Sequence, residues 1–137
     1  MGRILGVDYG DSRVGLALSD PTKMIASPFK TIDNKSHNYL IDYFIIIIKK
    51  KDIESFVLGL PISLKGKDTI QTIKVREFGK FLEQLGKPVI FQDERLSTIS
   101  AKYSLKLENI KTGHNKHRVD KRAAAIILQQ YLDISRK

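Results

Sequence analysis

The chain contains no cysteine. Disulfides and thiolate metal sites are therefore excluded. Long apolar runs are missing as well. Unbroken ones such as Phe44 to Ile48 are far short of the roughly 20 residues that a membrane span needs. The opening "MGRILGVDYG" lacks the apolar stretch and small-residue cleavage site of a signal peptide. These absences lead us to expect a soluble, cytoplasmic protein with no membrane partner. Acids are scarce: 15 Asp and Glu face 24 Lys and Arg, a net charge of +9. Such an excess favours a polyanionic partner, through phosphate contacts and counterion release. There is no repeat, low-complexity tract or linker, so the 137 residues read as one domain, 1–137, with an ordinary core.

What is present begins with a strand from about Arg3 to Asp8. A turn at Gly10 to Ser12 leads into a second strand, about Val14 to Ser19, as in a hairpin. Pro21 and Pro28 bracket a loop, with a short third strand over Phe29 to Ile32. Asp33, Asn34 and Ser36 offer caps for a helix from about Tyr39 to Lys51. The Ile45 to Ile48 run would also suit a strand, but the spacing of Leu40, Tyr43, Phe44 and Ile47 favours helix. "SFVLGL" reads as a buried strand stopped by Pro61. Asp68 with Gln71 resembles a capping box. The helix that follows places Ile70, Ile73, Phe78, Phe81, Leu82 and Leu85 near one face and stops at Gly86. Pro88 to Gln92 is a strand, Ser97 or Thr98 caps a helix to about Ile110, and a basic loop, "KTGHNKHR", leads to a last helix from about Val119 to Ile134. Hairpin-like strands followed by alternating helix and strand predict an α/β layer fold with a mixed sheet. In such sheets chemistry sits at the carboxyl ends of parallel strands.

Three acids from distant segments stand where that rule points. Asp8 ends the first strand, Glu94 follows the "VIFQ" strand with Asp93 beside it, and Asp120 opens the last helix. Asp120, Ala124, Ile127 and Tyr131 share one helix face, and Ala123 to Ala125 let that helix approach a sheet closely. Clustered carboxylates repel unless a cation or a shared proton intervenes. Oxygen ligands without Cys suit Mg²⁺ or Mn²⁺, and a pair of such ions is a standard means of hydrolysing a phosphodiester. Taken singly, each acid also fits a plainer role as a turn residue or helix-terminus acid. The turn "DYGDSRVG" is suited to place backbone N–H groups and Arg13 near a phosphate.

Other motifs fail. In "GLPISLKGKDT" six residues separate Gly59 from Gly66, and Lys67 is followed by Asp68, so this is no P-loop. His114 and His117 lack the further ligands that a zinc site needs. Between Lys111 and Arg122 there are five Lys or Arg and one acid. Such a run is solvated by default, but here it abuts Asp120.

"GVDYGDSRVGLALSD", "VLGLPISLKGKD", "DERLST" and "VDKRAAAIILQQYLD" resemble, in this order, the four blocks of the YqgF family, also called RuvX. The resemblance spans nearly the whole chain. It implies a ribonuclease H-like fold, with a mixed five-stranded sheet flanked by helices. It also implies a nuclease, described both as a Holliday-junction resolvase homologue and as a nuclease for the 5′ end of pre-16S rRNA. The family's acids carry over to Asp8, Glu94 and Asp120, as catalytic residues and ligands of Mg²⁺ or Mn²⁺. Arg13, Arg95, Lys116, Arg118, Lys121 and Arg122 are then the candidate nucleic-acid contacts. The partner is pre-rRNA or branched DNA, with ribosome precursors in the first case. The chain acts as monomer or homodimer, since a resolvase must cut two strands symmetrically. Two features depart from the pattern. Related resolvases carry an acid at the end of the fourth strand, where this chain has "GLPIS". The basic loop has His114 and Asn115 where the family tends to be rich in Lys, Arg and Gly.

Two other function classes compete. One is a non-catalytic RNA- or ribosome-binding module on the same fold. The other, an actin-like phosphotransferase, needs two such domains and a second Asp-Gly-Gly loop, and this chain has neither. Changing Lys116, Arg118, Lys121 and Arg122 together to Ala tests the basic run. Each lost phosphate contact lowers the slope of log K against log salt by about 0.7 to 0.9, so affinity titrated at several salt concentrations should lose roughly three units of slope. An unchanged slope means that these side chains are merely solvated.

Overall fold

The computed structural model describes residues 2–93 and 116–135, the side chains of 116–120 excepted. Glu94, Arg95, the expected helix after Ser97 or Thr98, and His114 therefore lie outside the described residues.

Alternation builds the first hairpin. In β1 (Arg3–Tyr9), Leu5 and Val7 face one side and Ile4, Gly6 and Asp8 the other. β2 (Arg13–Ser19) pairs with it antiparallel, Asp8 opposite Gly15. β3 (Ala26–Asp33) pairs antiparallel with β2. It starts before the expected Phe29. Pro28, read as a loop boundary, lies within it. β3 is an edge strand, and Pro28 sits beside a register shift, so no ladder hydrogen bond is lost there.

The chain then forms α1 (His37–Lys51), capped by the Ser36 hydroxyl, which accepts from Tyr39 N–H at 3.1 Å. The isoleucine run is helical. Leu40, Phe44 and Ile47 are buried while Ile46 is exposed. β4 (Ile53–Leu60) is buried on both faces and pairs parallel with β1.

α2 (Ile70–Glu83) follows. Its capping box is closed by Thr69 and Thr72 rather than by Asp68 and Gln71. The Thr69 N–H donates to Thr72 Oγ1 at 2.9 Å, and the Thr72 hydroxyl donates to the Pro61 carbonyl. Asp68 is taken by Arg76, which donates from two nitrogens at 3.0 and 3.2 Å. The buried stripe of α2 is Thr72, Val75, Phe78, Gly79 and Leu82, and Ile70 and Ile73 are exposed. Gly79 admits the Phe91 ring, which an added Cβ would meet at 2.6 Å. That ring belongs to β5 (Val89–Asp93), which pairs parallel with β4.

The sheet order is β3-β2-β1-β4-β5. One core cluster, including Leu5, Val7, Leu16, Phe56 and Leu58, lies under α1 and α2. The other, including Ile4, Ala17 and Val57, lies under α3 (Lys116–Ser135) through Ala124, Ile127, Leu128 and Leu132. α3 starts before the expected Val119, so the end of the basic loop is helical. No helix among the described residues is long and apolar enough to cross a membrane.

Gly6 sets the distance between β1 and α3. A Cβ there would lie 2.8 Å from Leu128 Cβ and 3.1 Å from the Ala124 carbonyl oxygen. Gly6→Ala should therefore cost about 1–3 kcal/mol by overpacking, outweighing the 0.5–1 kcal/mol or so that Ala normally gains over Gly in a strand. Urea unfolding measures it. Unchanged or raised stability would mean that α3 does not lie this close.

Candidate active site

Asp8 is the last residue but one of β1, half-buried, on the face covered by α3. Two contacts fix how α3 lies over it. Gly6 sits beneath Ala124 and Leu128. At the other end, Gln129 Oε1 accepts from Ala26 N–H at 2.8 Å and its Nε2 donates to the Met24 carbonyl at 3.0 Å. The N-terminal part of α3 thus extends toward the end of β1 that carries Asp8. Going from Gly6 to Asp8 advances about 6.6 Å along a strand. Going from Ala124 back to Asp120 advances about 6 Å along a helix. The backbone at 120 therefore stands level with Asp8, and 120 shares the helix face of Ala124. Asp120 is the fifth residue of α3, not in its first turn as expected from a start at Val119. A helix-terminus role, which fades beyond the first turn, fits it less well.

Across the parallel strands Val7 pairs with Leu58, and Gly59 pairs with Gln92. The position of β4 level with Asp8, on the same face, is thus Gly59. It carries no side chain, so β4 adds no acid to this face at that level. Asp93 pairs with Leu60, whose side chain belongs to the cluster under α1 and α2. Asp93 is therefore on the sheet face opposite Asp8. Glu94, the acid that follows, lies outside the described residues. Among the described residues no group of three His, Asp or Glu is placed to hold a metal, and two of the three expected acids lack described side chains.

Arg13 opens β2 on the same face as Asp8, diagonal to it across the ladder and within reach of a long side chain. Lys121 and Arg122 are half-buried on α3. The side chains of Lys116 and Arg118 are not among those described.

The β1–β2 turn is held from several directions, through contacts that no local pattern announces. Gly10 N–H donates to the Arg13 carbonyl at 2.9 Å, and a Cβ on Gly10 would come within 2.7 Å of that oxygen. Its glycine is required by this close approach, and its φ is not positive. Asn34, an expected helix cap, instead donates from Nδ2 to the Gly10 carbonyl and from its N–H to the Ser12 carbonyl, at 2.8 and 2.9 Å. From α2, Gln71 Nε2 donates to the Tyr9 carbonyl at 3.2 Å, and Lys74 pairs with Asp11 at 3.2 Å. Under the turn, on the other face, Tyr9 stacks on Phe78 at 4.5 Å and its hydroxyl meets His37 Nε2 at 3.1 Å. An acid strongly perturbed by its surroundings lies elsewhere. The Thr22 hydroxyl and the N–H groups of Ile25, Met24 and Thr22 hold the Asp20 carboxyl well below the usual carboxylate range. Asp20 follows β2, at the opposite end of the sheet from Asp8. It builds a loop and takes no part in this site.

Residues 2–134 match the family model described as RuvX: Holliday junction resolvase. The chain belongs to the RuvX family. A relative from Maridesulfovibrio salexigens is 37% identical over 131 residues, covering 95% of this chain and 97% of its own. One from Caldanaerobacter subterraneus subsp. tengcongensis is 41% identical over 133 residues, covering 96% of each. Both carry the name "Putative pre-16S rRNA nuclease". Among solved structures, T. thermophilus RuvC in complex with Holliday junction substrate superposes with a TM-score of 0.59 at 10% identity, covering 99% of this chain and 96% of that one. At that identity the likeness speaks for the fold, which is ribonuclease H-like.

If Asp8 and Asp120 share a cation, Mg²⁺ or Mn²⁺ should raise the melting temperature of the wild type, because a ligand that binds only the folded state stabilises it by about 2.7 kcal/mol at 100 times Kd. Asp120→Asn should melt at the same temperature or higher without metal, and shift less with it. Equal shifts in both proteins would remove Asp120 from the site.

Proposed function

We propose that this chain is a metal-dependent endonuclease that hydrolyses phosphodiester bonds in structured nucleic acid, with the 5′ end of pre-16S rRNA as substrate and ribosome precursors as its setting. The observation that carries the reading is Asp8 at the open end of β1, level with the backbone of Asp120 across the Gly6 contact. The relatives' names support the choice of substrate. The family description leaves branched DNA as the alternative.

The donor set fits a hard cation. The acids Asp8, Glu94 and Asp120 offer only oxygen, and the chain has no cysteine to draw a softer metal. Mg²⁺ or Mn²⁺ held by these three would supply an activated water and stabilise the leaving oxygen. The chain's own part is positional. Asp8 is fixed by a turn held from the β3–α1 connection and α2. Arg13, on the same face, suits a phosphate oxygen of the substrate strand. Lys121 and Arg122 on α3, with Lys116, Arg118 and Arg95, extend the positive field to the flanking phosphates.

Gly59 favours a second reading. Without a fourth-strand acid the site has one ligand fewer than a resolvase, as a binding module that does not cut would have. Asp8→Asn separates the two. Asn is nearly isosteric and uncharged, so a nuclease should lose cleavage of a pre-16S rRNA 5′ fragment by orders of magnitude while still binding it. Cleavage by Asp8→Asn at the wild-type rate would contradict the metal role. Binding without cleavage by the wild type, at any Mg²⁺ or Mn²⁺ concentration, would favour the module.

A further inference from the structure

On the sheet face opposite Asp8, a groove of about 210 Å³ runs between β3 and α1. Two rings, Phe29 and Tyr43, line it with isoleucines of α1 and with Lys30, Lys50 and Lys51. We propose that this groove is a second nucleic-acid contact, which holds a single-stranded segment of the substrate by its phosphates while a base or sugar covers the apolar wall. The inference rests on the reading that the chain acts on nucleic acid, and it adds a place and a strandedness to it.

A bulge builds the groove. In the β2–β3 ladder Leu16 pairs with Lys30 and Ala17 with Pro28, so Phe29 is the extra residue. Consecutive strand residues normally point to opposite faces. Here Phe29 packs against the α1-side core, and Lys30 lies over the Tyr43 ring of α1. The bulge has brought a ring and an ammonium to the same side, the kind of re-aiming bulges are retained for. The ammonium of Lys30 is 6.0 Å from the Phe29 centroid and 5.8 Å from that of Tyr43, and Lys51 is 5.6 Å from Phe29. Nearer the catalytic end, Lys35 lies 5.0 Å from the ring of Tyr39, one helical turn before Tyr43. The result is a row of rings with cations beside them.

Charge selects the occupant. No acid lines the groove, and among the described residues none of its three lysines pairs with a carboxylate. Three positive charges on an apolar, aromatic wall suit a chain that alternates anionic phosphates with flat bases. An added β-strand suits it poorly. β3 is an edge strand, but Pro28 and the bulge interrupt the row of donors that strand addition needs, and Lys30 places a charge beside it. Position agrees as well. Asp8, Gly15 and Thr31 are in register across three strands, so Thr31 is about 10 Å from Asp8, backbone to backbone. Lys30 is the next residue. A strand leaving the catalytic end around β3 reaches the groove within a short single-stranded stretch.

The test is binding of a fluorescent 12-nucleotide oligouridylate, measured by anisotropy with EDTA present so that no cleavage intervenes. Lys30→Ala/Lys50→Ala/Lys51→Ala should weaken binding and lower the salt slope by about 2, three contacts at roughly 0.7 each for a single strand. Ile46→Glu puts an acid in the groove at a side chain 53% exposed, where folding is not at risk. It should weaken binding several-fold. An unchanged slope in the triple variant overturns the proposal, as does a polyglutamate peptide that binds more tightly than the oligonucleotide through the same lysines. Asp8→Asn keeps the two readings apart. If it is inert while the triple variant binds as wild type does, only the groove falls. If it cuts normally while the groove variants lose binding, the groove stands and the metal role of Asp8 falls.

Discussion

A missing side chain sets how close the covering helix lies to the sheet. Gly6, in the middle of β1, leaves no room for a Cβ against Leu128 and Ala124. That contact, with the Gln129 clamp on Ala26 and Met24, decides where along β1 each turn of α3 falls. One turn toward the helix N-terminus from Ala124, and two residues toward the strand end from Gly6, bring Asp120 and Asp8 to one level. A side chain at position 6 would lift the helix and separate the two acids. Packing and chemistry are joined at this one point.

The turn beside Asp8 is treated with similar economy. Residues 9–13 are tied to the β3–α1 connection by Asn34 and to α2 by Gln71 and Lys74. The Tyr9, His37 and Phe78 rings support it from below. Bringing carboxylates together is unfavourable without a cation, so a shared cation site would have to be held open by its scaffold before the ion binds. Such a scaffold has to be stiff, and the braces found here come from α1, α2 and the β3–α1 connection.

Much of this was legible in the sequence. β1, β2, β4, β5 and α1 follow clear periods, so their extents agree with expectation to within a residue or two. The four sequence blocks gave the family, and with it the fold. What was illegible depends on contacts distant in sequence. α2 buries Thr72 and Gly79 and exposes Ile70 and Ile73, because its partner surfaces, the Pro61 carbonyl and the Phe91 ring, are not local. Pro28 reads as a loop breaker until the edge position of β3 is known. That Asp93 lies on the face opposite Asp8 follows only from the β4–β5 register. Ala123 to Ala125 announced a close helix–sheet approach, but nothing in the sequence singled out Gly6 as the other half of it.

The central claim is that Asp8 and Asp120 share a divalent cation. Crystals soaked in Mn²⁺, with diffraction collected to locate the manganese by its anomalous scattering, test it most directly. The account predicts a peak at coordination distance from carboxylate oxygens of both Asp8 and Asp120. A peak that touches neither, or no peak beside Asp8 at saturating Mn²⁺, would contradict it.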